Sequence, residues 1–426
     1  MKLKLIVEWI QRLKKLPECI MRCGDKYFIF QGSHQNYLRN GALLLEESIA
    51  LFHGRANPLR PFSVGELNTM NVETLPIYKF YFHHLYKGSW EGRDVLVGKD
   101  DNMKHKRHWE YVLHEIVVAT QMATHTNVHK LIGCCLETVK PVLVYESLDD
   151  CILLEDKTPL DDCILLKDKT PLDDCILLKD ETQNQRLVLE WKDRLRIAWE
   201  ISHTIAYLHT AFPRPIIYRN LNPNSVFLSP ESAIKLCDFS LCVSIPKDQE
   251  FFMSEDLLGT IGFIAPEYFH SGEVRESTDV FTFGVLFLML LTGKFPRKDD
   301  LVFLRKGMTE MCINKMIDPK ITRNGVTDIE ELQLRYSIQT ALLCVSNKEN
   351  CRPTMVEVAM ELMNIIKSPQ NIVTSSKFKM FQLNHYNDHT TECDDEFYDC
   401  DNDNNDNNDE EYYDCEQNKD QCNDNA

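Results

Sequence analysis

Three charged residues with the chemistry to handle phosphate or metal lie in separate short segments. Lys99 ends the run VLVGK, Glu115 lies in HEIVVATQM, and Asp238 follows the apolar run IKLC. A lysine ammonium can bind phosphate, and carboxylates can hold metal ions or pair with a cation. The segment IIYRNLNPNSVFL instead presents the amides Asn220 and Asn222, and an amide cannot accept a proton as a general base.

These segments follow the order of the functional motifs of protein kinases, and the resemblance covers about residues 70–367. "LYKGSWEGRDVLVGK" resembles the second and third strands of the small lobe, "VLVYES" the hinge, and "GTIGFIAPEY" the end of the activation segment. The resemblance implies a two-lobed α+β fold with a small β-rich lobe and a large helical lobe. It also implies that nucleotide contacts, if there are any, would come from Lys99, Glu115, Glu146 and Asp238.

The resemblance places the three glycine positions of the phosphate-binding hairpin on Tyr78, Phe80 and His83. In a kinase these glycines let backbone N–H groups approach the ATP phosphates, because they lack a Cβ. All three residues here are bulky. The hairpin is therefore expected not to hold a triphosphate in the usual way.

The lysine that contacts the α- and β-phosphates in kinases is replaced by Gly98, and Lys99 comes one residue late. Successive side chains of a strand point to opposite faces, so Lys99 is expected to face away from Glu115. A β-bulge at Gly98 is the alternative that would restore the contact. Glu115 is accordingly either an ion-pair partner or an exposed helix acid.

The resemblance also locates three losses within the catalytic loop. Asn220 occupies the position of the catalytic base, Asn222 that of the loop lysine, and Ser225 that of an asparagine that holds magnesium. Loss of general-base catalysis alone typically lowers a rate by about 10²–10⁴. Asp238 matches the metal-binding aspartate and is the remaining metal candidate, with a local turn role as its alternative.

Positions that maintain the kinase fold are kept. Glu267 and Arg352 match the ion pair of the large lobe, and Asp279 matches the residue that holds the catalytic-loop backbone. Ser254 and Thr260 lie in the activation segment and are candidates for modification. Retained architecture combined with lost chemistry is what a domain used for binding would show.

Three regions are expected along the chain: a helical extension at 1–70, a kinase-like domain at 71–367, and a disordered acidic tail at 368–426. A twelve-residue unit beginning LDDCILL occurs three times at 148–183, within the kinase-like domain. The preferred interpretation is a loop enlarged by duplication, and the alternative is a repeat that binds a partner.

Composition narrows the class of protein further. From Asp388 onward, 16 acidic residues face one lysine and account for most of the net charge of -18, so the remaining chain has no basic surface for nucleic acid. Sixteen scattered cysteines without a signal peptide favour a reducing cytosol over a disulfide framework.

No transmembrane segment is predicted, because the apolar run Val280–Leu291 is too short. A basic amphipathic helix at 1–16 leaves peripheral attachment to the plasma membrane open, against an ordinary docked helix.

The closest resemblance is to pseudokinases among plant receptor-like cytoplasmic kinases of the RLCK-XII type. It rests on phrases such as "RNGALLLEESIALFHG", "YKGSWEGRDVLV" and "GTIGFIAPEYFHSGEVRESTDVFTFGV" and on the degenerate "YRNLNP". It implies a cytosolic adaptor in plant immune signalling that binds an NLR immune receptor and a pathogen effector or a modified receptor-like cytoplasmic kinase. The acidic tail and the threefold repeat depart from that pattern.

Two alternatives remain from the sequence. One is an atypical serine/threonine kinase in which Lys99 is bulged into place and Asp238 holds a single magnesium. The other is a scaffold that binds Mg-ATP weakly without hydrolysing it. The pseudokinase interpretation requires no cofactor.

Overall fold

The computed structural model of the protein describes most of the chain between residues 25 and 367. The described residues are 25–53, 59–80, 82–99, 108–148, 151–154, 178–179, 186–187, 189–229, 233–260, 262–294, 317–323 and 325–367. The predictions for 1–16 and for the tail at 368–426 lie outside these residues, as does most of the repeat region at 148–183.

A six-stranded sheet forms the small lobe. Its strands are β1 Arg60–Pro61, β2 Tyr78–Lys79, β3 His84–Trp90, β4 Arg93–Lys99, β5 Leu131–Cys135 and β6 Val142–Glu146. They pair in the order β1-β5-β6-β4-β3-β2. The hairpin β3–β4 closes through Glu91 and Gly92, whose φ angles of 50° and 75° are those of a two-residue type I′ turn.

Both faces of the central strand β4 are buried, which explains its continuous apolar run. Leu96 points into the main core, whereas its neighbours Val95 and Val97 belong to a second cluster with Phe62 and Met70. This alternation follows from the two-residue period of a strand. The second cluster lies beside a short helix, α2 Val64–Thr69, which begins with a capping box between Ser63 and Glu66.

Two further helices belong to this lobe: α1 Asp25–Phe52 and α3 His108–Met122. Glu47 of α1 pairs with His114 of α3 at 2.7 Å. The Asn40 side chain donates to the backbone carbonyls of Leu136 and Thr138, at 3.0 and 2.9 Å. These contacts attach α1 to the small lobe.

The large lobe is mainly helical, with short strands near its junction with the small lobe. Its helix α6 is buried at every position from Thr278 to Leu291, so the apolar run in this stretch is a core helix. The helices are α4 Trp191–Thr210, α5 Pro266–Ser271, α6 Glu276–Thr292, α7 Pro319–Thr322, α8 Asp328–Cys344 and α9 Met355–Lys367, with 3₁₀ turns at Pro223–Ser225 and Glu349–Cys351. The remaining strands are β7 Ile152–Leu153, β8 Leu178–Lys179, β9 Arg186–Leu187, β10 Ile216–Ile217, β11 Val226–Leu228, β12 Ile234–Leu236, β13 Val243–Ser244, β14 Phe252–Met253 and β15 Glu273–Val274.

The predicted two-lobed α+β fold is confirmed. The small-lobe sheet begins with Arg60, which pairs with Gly133, and therefore starts before the predicted domain boundary at residue 70. Within the described part of the chain, no helix combines the length and the hydrophobicity needed to cross a bilayer.

Candidate functional site

The hairpin β3–β4 pairs in a regular register, with His84 opposite Lys99 and Leu85 opposite Gly98. No bulge is present between these paired residues, so the bulge alternative for Lys99 is wrong. The Lys99 ammonium lies 5.4 Å from the centre of the Tyr86 ring, on the sheet face that Tyr86 shares. Lys99 therefore points to the opposite face of the strand from Gly98, as alternating side chains do, and does not pair with Glu115.

His83 takes the place next to Glu115 that a lysine fills in kinases. Its Nδ1 lies 3.2 Å from Glu115 Oε2, and both side chains are at most 1% exposed. A Cβ added to Gly98 would lie only 3.0 Å from His83 Cδ2, so the glycine leaves the space that the imidazole occupies. The expectation that Glu115 is an exposed acid is wrong, as is its pairing with Lys99.

Glu115 is held by neutral groups rather than by a cation. The Tyr145 hydroxyl donates to Glu115 Oε1 at 2.5 Å. Burial, followed by the nearby Asp238 carboxylate, raises the pKa of Glu115 well above its ordinary value, although hydrogen bonds from Tyr145 and the Phe239 backbone lower it. Burial likewise lowers the pKa of His83 to about 3. Neutral forms are therefore favoured at this point of the cleft.

Aromatic side chains from β2 and from the turn between β2 and β3 lie in the cleft between the lobes. The turn is closed by a bond from Phe80 N to His83 O at 3.0 Å. The Tyr78 ring packs edge-on against Phe227 of β11, with ring centres 4.7 Å apart. Phe82 stacks on Tyr111 at 4.0 Å and is buried. The three residues at the expected glycine positions, Tyr78, Phe80 and His83, form an aromatic plug together with Phe82.

The catalytic-loop positions form a buried network of neutral groups. Asn222 Nδ2 donates to the carbonyl oxygen of Asn220 at 3.0 Å and to the Thr260 hydroxyl oxygen at 3.0 Å. The Thr260 hydroxyl in turn donates to Asn220 Oδ1 at 3.0 Å. Ser225 Oγ donates to the backbone carbonyl of Asn222 at 2.8 Å. These groups satisfy one another and include neither a proton acceptor of carboxylate type nor a cation.

Asp238 lies at the end of the same cleft in a left-handed conformation, with φ of 57°. Its Oδ1 accepts from Ser240 Oγ at 2.5 Å and from Ser240 N at 3.3 Å. This is the local turn arrangement that the sequence offered as the alternative to a metal role. The serine at the usual glycine position therefore supplies a hydrogen bond to the carboxylate.

Glu146 ends β6 at the hinge, with its side chain partly exposed. Its backbone carbonyl accepts from His129 Nε2 at 2.8 Å, and its N–H donates to the Lys130 carbonyl at 3.0 Å. Its carboxylate pairs with Lys235 at 3.3 Å. The polar groups of this residue are thus engaged within the protein.

The residues expected to maintain the fold lie in close polar contacts. Asp279 accepts from the backbone N–H groups of Tyr218 and Arg219 at 2.7 and 2.8 Å. Arg352 binds both carboxylate oxygens of Glu267, at 2.7 and 2.8 Å, and is itself 3% exposed. A bidentate contact of this kind fixes the geometry of both side chains.

The two modification candidates of the activation segment have different surroundings. Thr260 belongs to the amide network described above. Ser254 Oγ donates to the Asp256 carbonyl at 2.7 Å and accepts from an Arg219 guanidinium nitrogen at 3.2 Å. Modification of either hydroxyl stays a prediction.

The chain matches the model of the protein tyrosine and serine/threonine kinase family over residues 77–362. It belongs to that family. Its relatives in Arabidopsis thaliana include "Non-functional pseudokinase ZED1", to which it is 34% identical over 78% of this chain and 96% of that protein. It is 31% identical to "Serine/threonine-protein kinase ZRK1" over 79% and 93% of the two chains. It is 30% identical to "Inactive serine/threonine-protein kinase ZRK12" over 78% and 79%.

These relatives are of the RLCK-XII type that the sequence resemblance indicates. Some of the relatives have names that denote inactive proteins and others have names that denote kinases. Family membership therefore fits both an active and an inactive protein, and the site geometry has to decide between them.

The sequence located the lost groups but missed what replaces them. The bulk of His83 at a glycine position is evident from the sequence, whereas its contact with Glu115 is not. The signal available in the sequence is that two changes occur together: Gly98 stands at the lysine position, and His83 stands at a glycine position. Only the pairing of β3 with β4 brings these two positions together.

Proposed function

We propose that the protein is a catalytically inactive kinase-like adaptor in plant immune signalling. The observation that carries the proposal is the state of the cleft: side chains of the aromatic plug occupy it, and a neutral amide network replaces the catalytic base and the loop lysine. Phosphoryl transfer depends on positioning the phosphates and stabilising their charge, so a cleft without these groups supports binding rather than chemistry.

The biological part of the proposal rests on resemblance. Relatives named non-functional or inactive are similar to this chain over about three quarters of its length. The partners proposed are an NLR immune receptor together with a pathogen effector or a modified receptor-like cytoplasmic kinase. The proposed location is the cytoplasm, with peripheral attachment to the plasma membrane through the segment at 1–16 as a further hypothesis.

A phosphotransfer assay tests the loss of chemistry. The purified chain should incorporate no more label from radioactive ATP than an Asn222→Ala variant, because that residue holds no catalytic role in the proposal. Incorporation into the chain or a generic substrate that Asp238→Asn abolishes would contradict it. The second candidate, an atypical kinase, is favoured by such a result and by the relative named as a kinase.

A co-purification series tests the adaptor role. The full chain, a version ending near Gln382, a version with one twelve-residue unit and a version starting near Phe62 are each expressed with a candidate NLR receptor. The first three should capture the receptor, because a folded lobe presents aromatic and arginine anchors that an acidic tail lacks. A fragment from Asp388 to the C-terminus is a further arm of the series. Capture by this tail fragment alone, or by no version, would contradict the proposal in this form.

A further inference from the structure

The cleft contains a buried cluster of three potential metal ligands: His83, Glu115 and Asp238. One donor atom from each lies within 4.8 Å of the other two, and all three residues are buried. His83 comes from the turn before β3, Glu115 from α3, and Asp238 from the loop after β12. Three separate elements therefore direct nitrogen and oxygen donors to one point.

Two members of the cluster have donor atoms that make no hydrogen bond, although His83 Nδ1 and Glu115 Oε2 lie 3.2 Å from each other. Among the described residues, neither ring nitrogen of His83 has a hydrogen-bond partner, and the same is true of Glu115 Oε2. His83 is 2% exposed and Glu115 is 0% exposed, so solvent does not satisfy these atoms. Buried polar groups are nearly always hydrogen-bonded, and each exception in a native structure calls for an explanation such as an ion.

The charges of the cluster also favour an ion. The cluster holds two carboxyl groups and a neutral imidazole, so it has no cation of its own to balance either carboxyl group in its ionised form. The side chain at the lysine position is missing because that residue is Gly98, and Lys99 lies on the face of β4 that carries Tyr86. Buried charges are normally paired or coordinate a metal. A divalent cation would balance both carboxylates.

The donor set selects the kind of ion. Imidazole nitrogen suits zinc and other transition metals, whereas magnesium and calcium prefer oxygen ligands alone. Two ligands at about 2 Å from one ion can lie roughly 3–4 Å apart. The distance of 3.2 Å from His83 Nδ1 to Glu115 Oε2 is in this range. A shift of Asp238 on the order of 1 Å would complete a three-ligand site.

We propose that His83, Glu115 and Asp238 form a binding site for a divalent transition metal, with Zn²⁺ as the probe, and that this site needs no nucleotide. The ion would connect the hairpin turn, α3 and the loop after β12. It would stabilise the closed arrangement of the two lobes that the aromatic plug also favours. The proposal is independent of the adaptor role, since a metal could occupy the cluster in a protein with any partner.

The test measures zinc in the full chain expressed in zinc-supplemented medium and dialysed, because the buried donors are best loaded during folding. Other groups, including cysteines, can also bind zinc, so the difference between variants is decisive. His83→Phe and Glu115→Gln should each retain about one zinc ion fewer per chain than wild type. His84→Phe is the matched control, since His84 is the neighbouring histidine and is not part of the cluster, and should retain the wild-type amount.

A second readout separates metal binding from a role in packing. A chelator should lower the melting temperature of wild type and of His84→Phe, but leave that of His83→Phe unchanged, and Mg²⁺ should not restore the loss. Equal zinc content in wild type and in both cluster variants would overturn the proposal. So would equal chelator effects, restoration by Mg²⁺, or a dialysed wild type without zinc. If one cluster variant does not fold, the other and the wild-type zinc content decide.

Discussion

At the scale of single residues, this protein keeps the positions that maintain a kinase fold and replaces those that perform phosphoryl transfer. The Glu267–Arg352 pair and Asp279 make the contacts that hold backbone segments together. Asn220 and Asn222 instead bind each other and Thr260. Neutral amides satisfy their hydrogen bonds locally, so the loop keeps its shape without the charges that phosphoryl transfer requires.

The Glu267–Arg352 pair should be a major stabilising contact of the large lobe. Arg352→Ala or Glu267→Ala should lower the free energy of unfolding by roughly 3–5 kcal/mol, because each leaves a buried charge without its partner. Chemical denaturation measures this. Arg335→Ala is the control, since its pair with Glu331 is exposed, and it should cost at most about 1 kcal/mol. Equal losses in the two arginine variants would show that burial does not set the cost.

A buried histidine near the hinge should make the protein sensitive to acid. Burial lowers the pKa of His129 to about 4, although the hydrogen bond from its ring to the Glu146 carbonyl acts in the opposite direction. The charged groups near it are Lys235 and the Glu146 carboxylate, and the His129 ring stacks on Tyr145. The unfolded chain binds a proton near pH 6.5, so stability is lost as the pH falls from about 6.5 toward 4.

The His129→Gln variant tests this, because glutamine can donate to the same carbonyl without titrating. Its loss of unfolding free energy between pH 6.5 and 4 should be smaller than that of wild type by on the order of 3 kcal/mol. His270→Gln changes an exposed histidine and should follow wild type. Identical pH profiles for all three proteins would contradict the assignment.

At the scale of elements, the β2–β3 turn and β4 act as one unit. A glycine in β4 makes room for a histidine from the turn. Tyr78 of β2 packs across the cleft against Phe227, and Phe82 of the turn packs against Leu241 and Leu258 of the large lobe. In a kinase the same turn would leave space for phosphates. Here the bulky His83 at a glycine position fills the space that Gly98 leaves at the lysine position.

This complementarity predicts opposite effects of adding a methyl group at two glycines. Gly98→Ala should destabilise the protein by about 1–3 kcal/mol, because the new Cβ would lie 3.0 Å from His83 and 3.2 Å from Leu143. Gly41→Ala, in helix α1 with no atom within 4 Å of the new Cβ, should stabilise by up to about 1 kcal/mol. Thermal melting of both variants checks the signs, and a neutral or stabilising Gly98→Ala would show that His83 does not need this space.

The order of the elements could be predicted from the sequence, whereas their exact contacts could not. Strand-like segments around one helix, followed by helical periodicity, are enough for a two-lobed fold, and the amide at position 220 is evident without a structure. The state of Lys99 depended on the strand register, which a glycine leaves open because it fits a regular strand and a bulge alike. The contact between His83 and Glu115 depends on packing between the turn and α3. No local sequence pattern indicates that packing.

At the scale of the whole molecule, two lobes are joined across a cleft that side chains of the aromatic plug bridge. Tyr78 and Phe82 connect the small lobe to Phe227 and to the cluster of Leu241 and Leu258. A cleft closed in this way gives a body with fixed surfaces, which suits recognition by partners. Nucleotide would have to displace the plug to enter.

The most direct test of this central claim is a thermal melting titration of the full chain with Mg-ATP. A ligand at a hundred times its dissociation constant stabilises a protein by about 2.7 kcal/mol, which would raise the melting temperature by several degrees. Millimolar Mg-ATP should leave the melting temperature nearly unchanged, because Tyr78, Phe80 and His83 occupy the positions at which a kinase hairpin holds the phosphates. A saturable rise of several degrees that Asp238→Asn removes would contradict it and show that the cleft binds nucleotide.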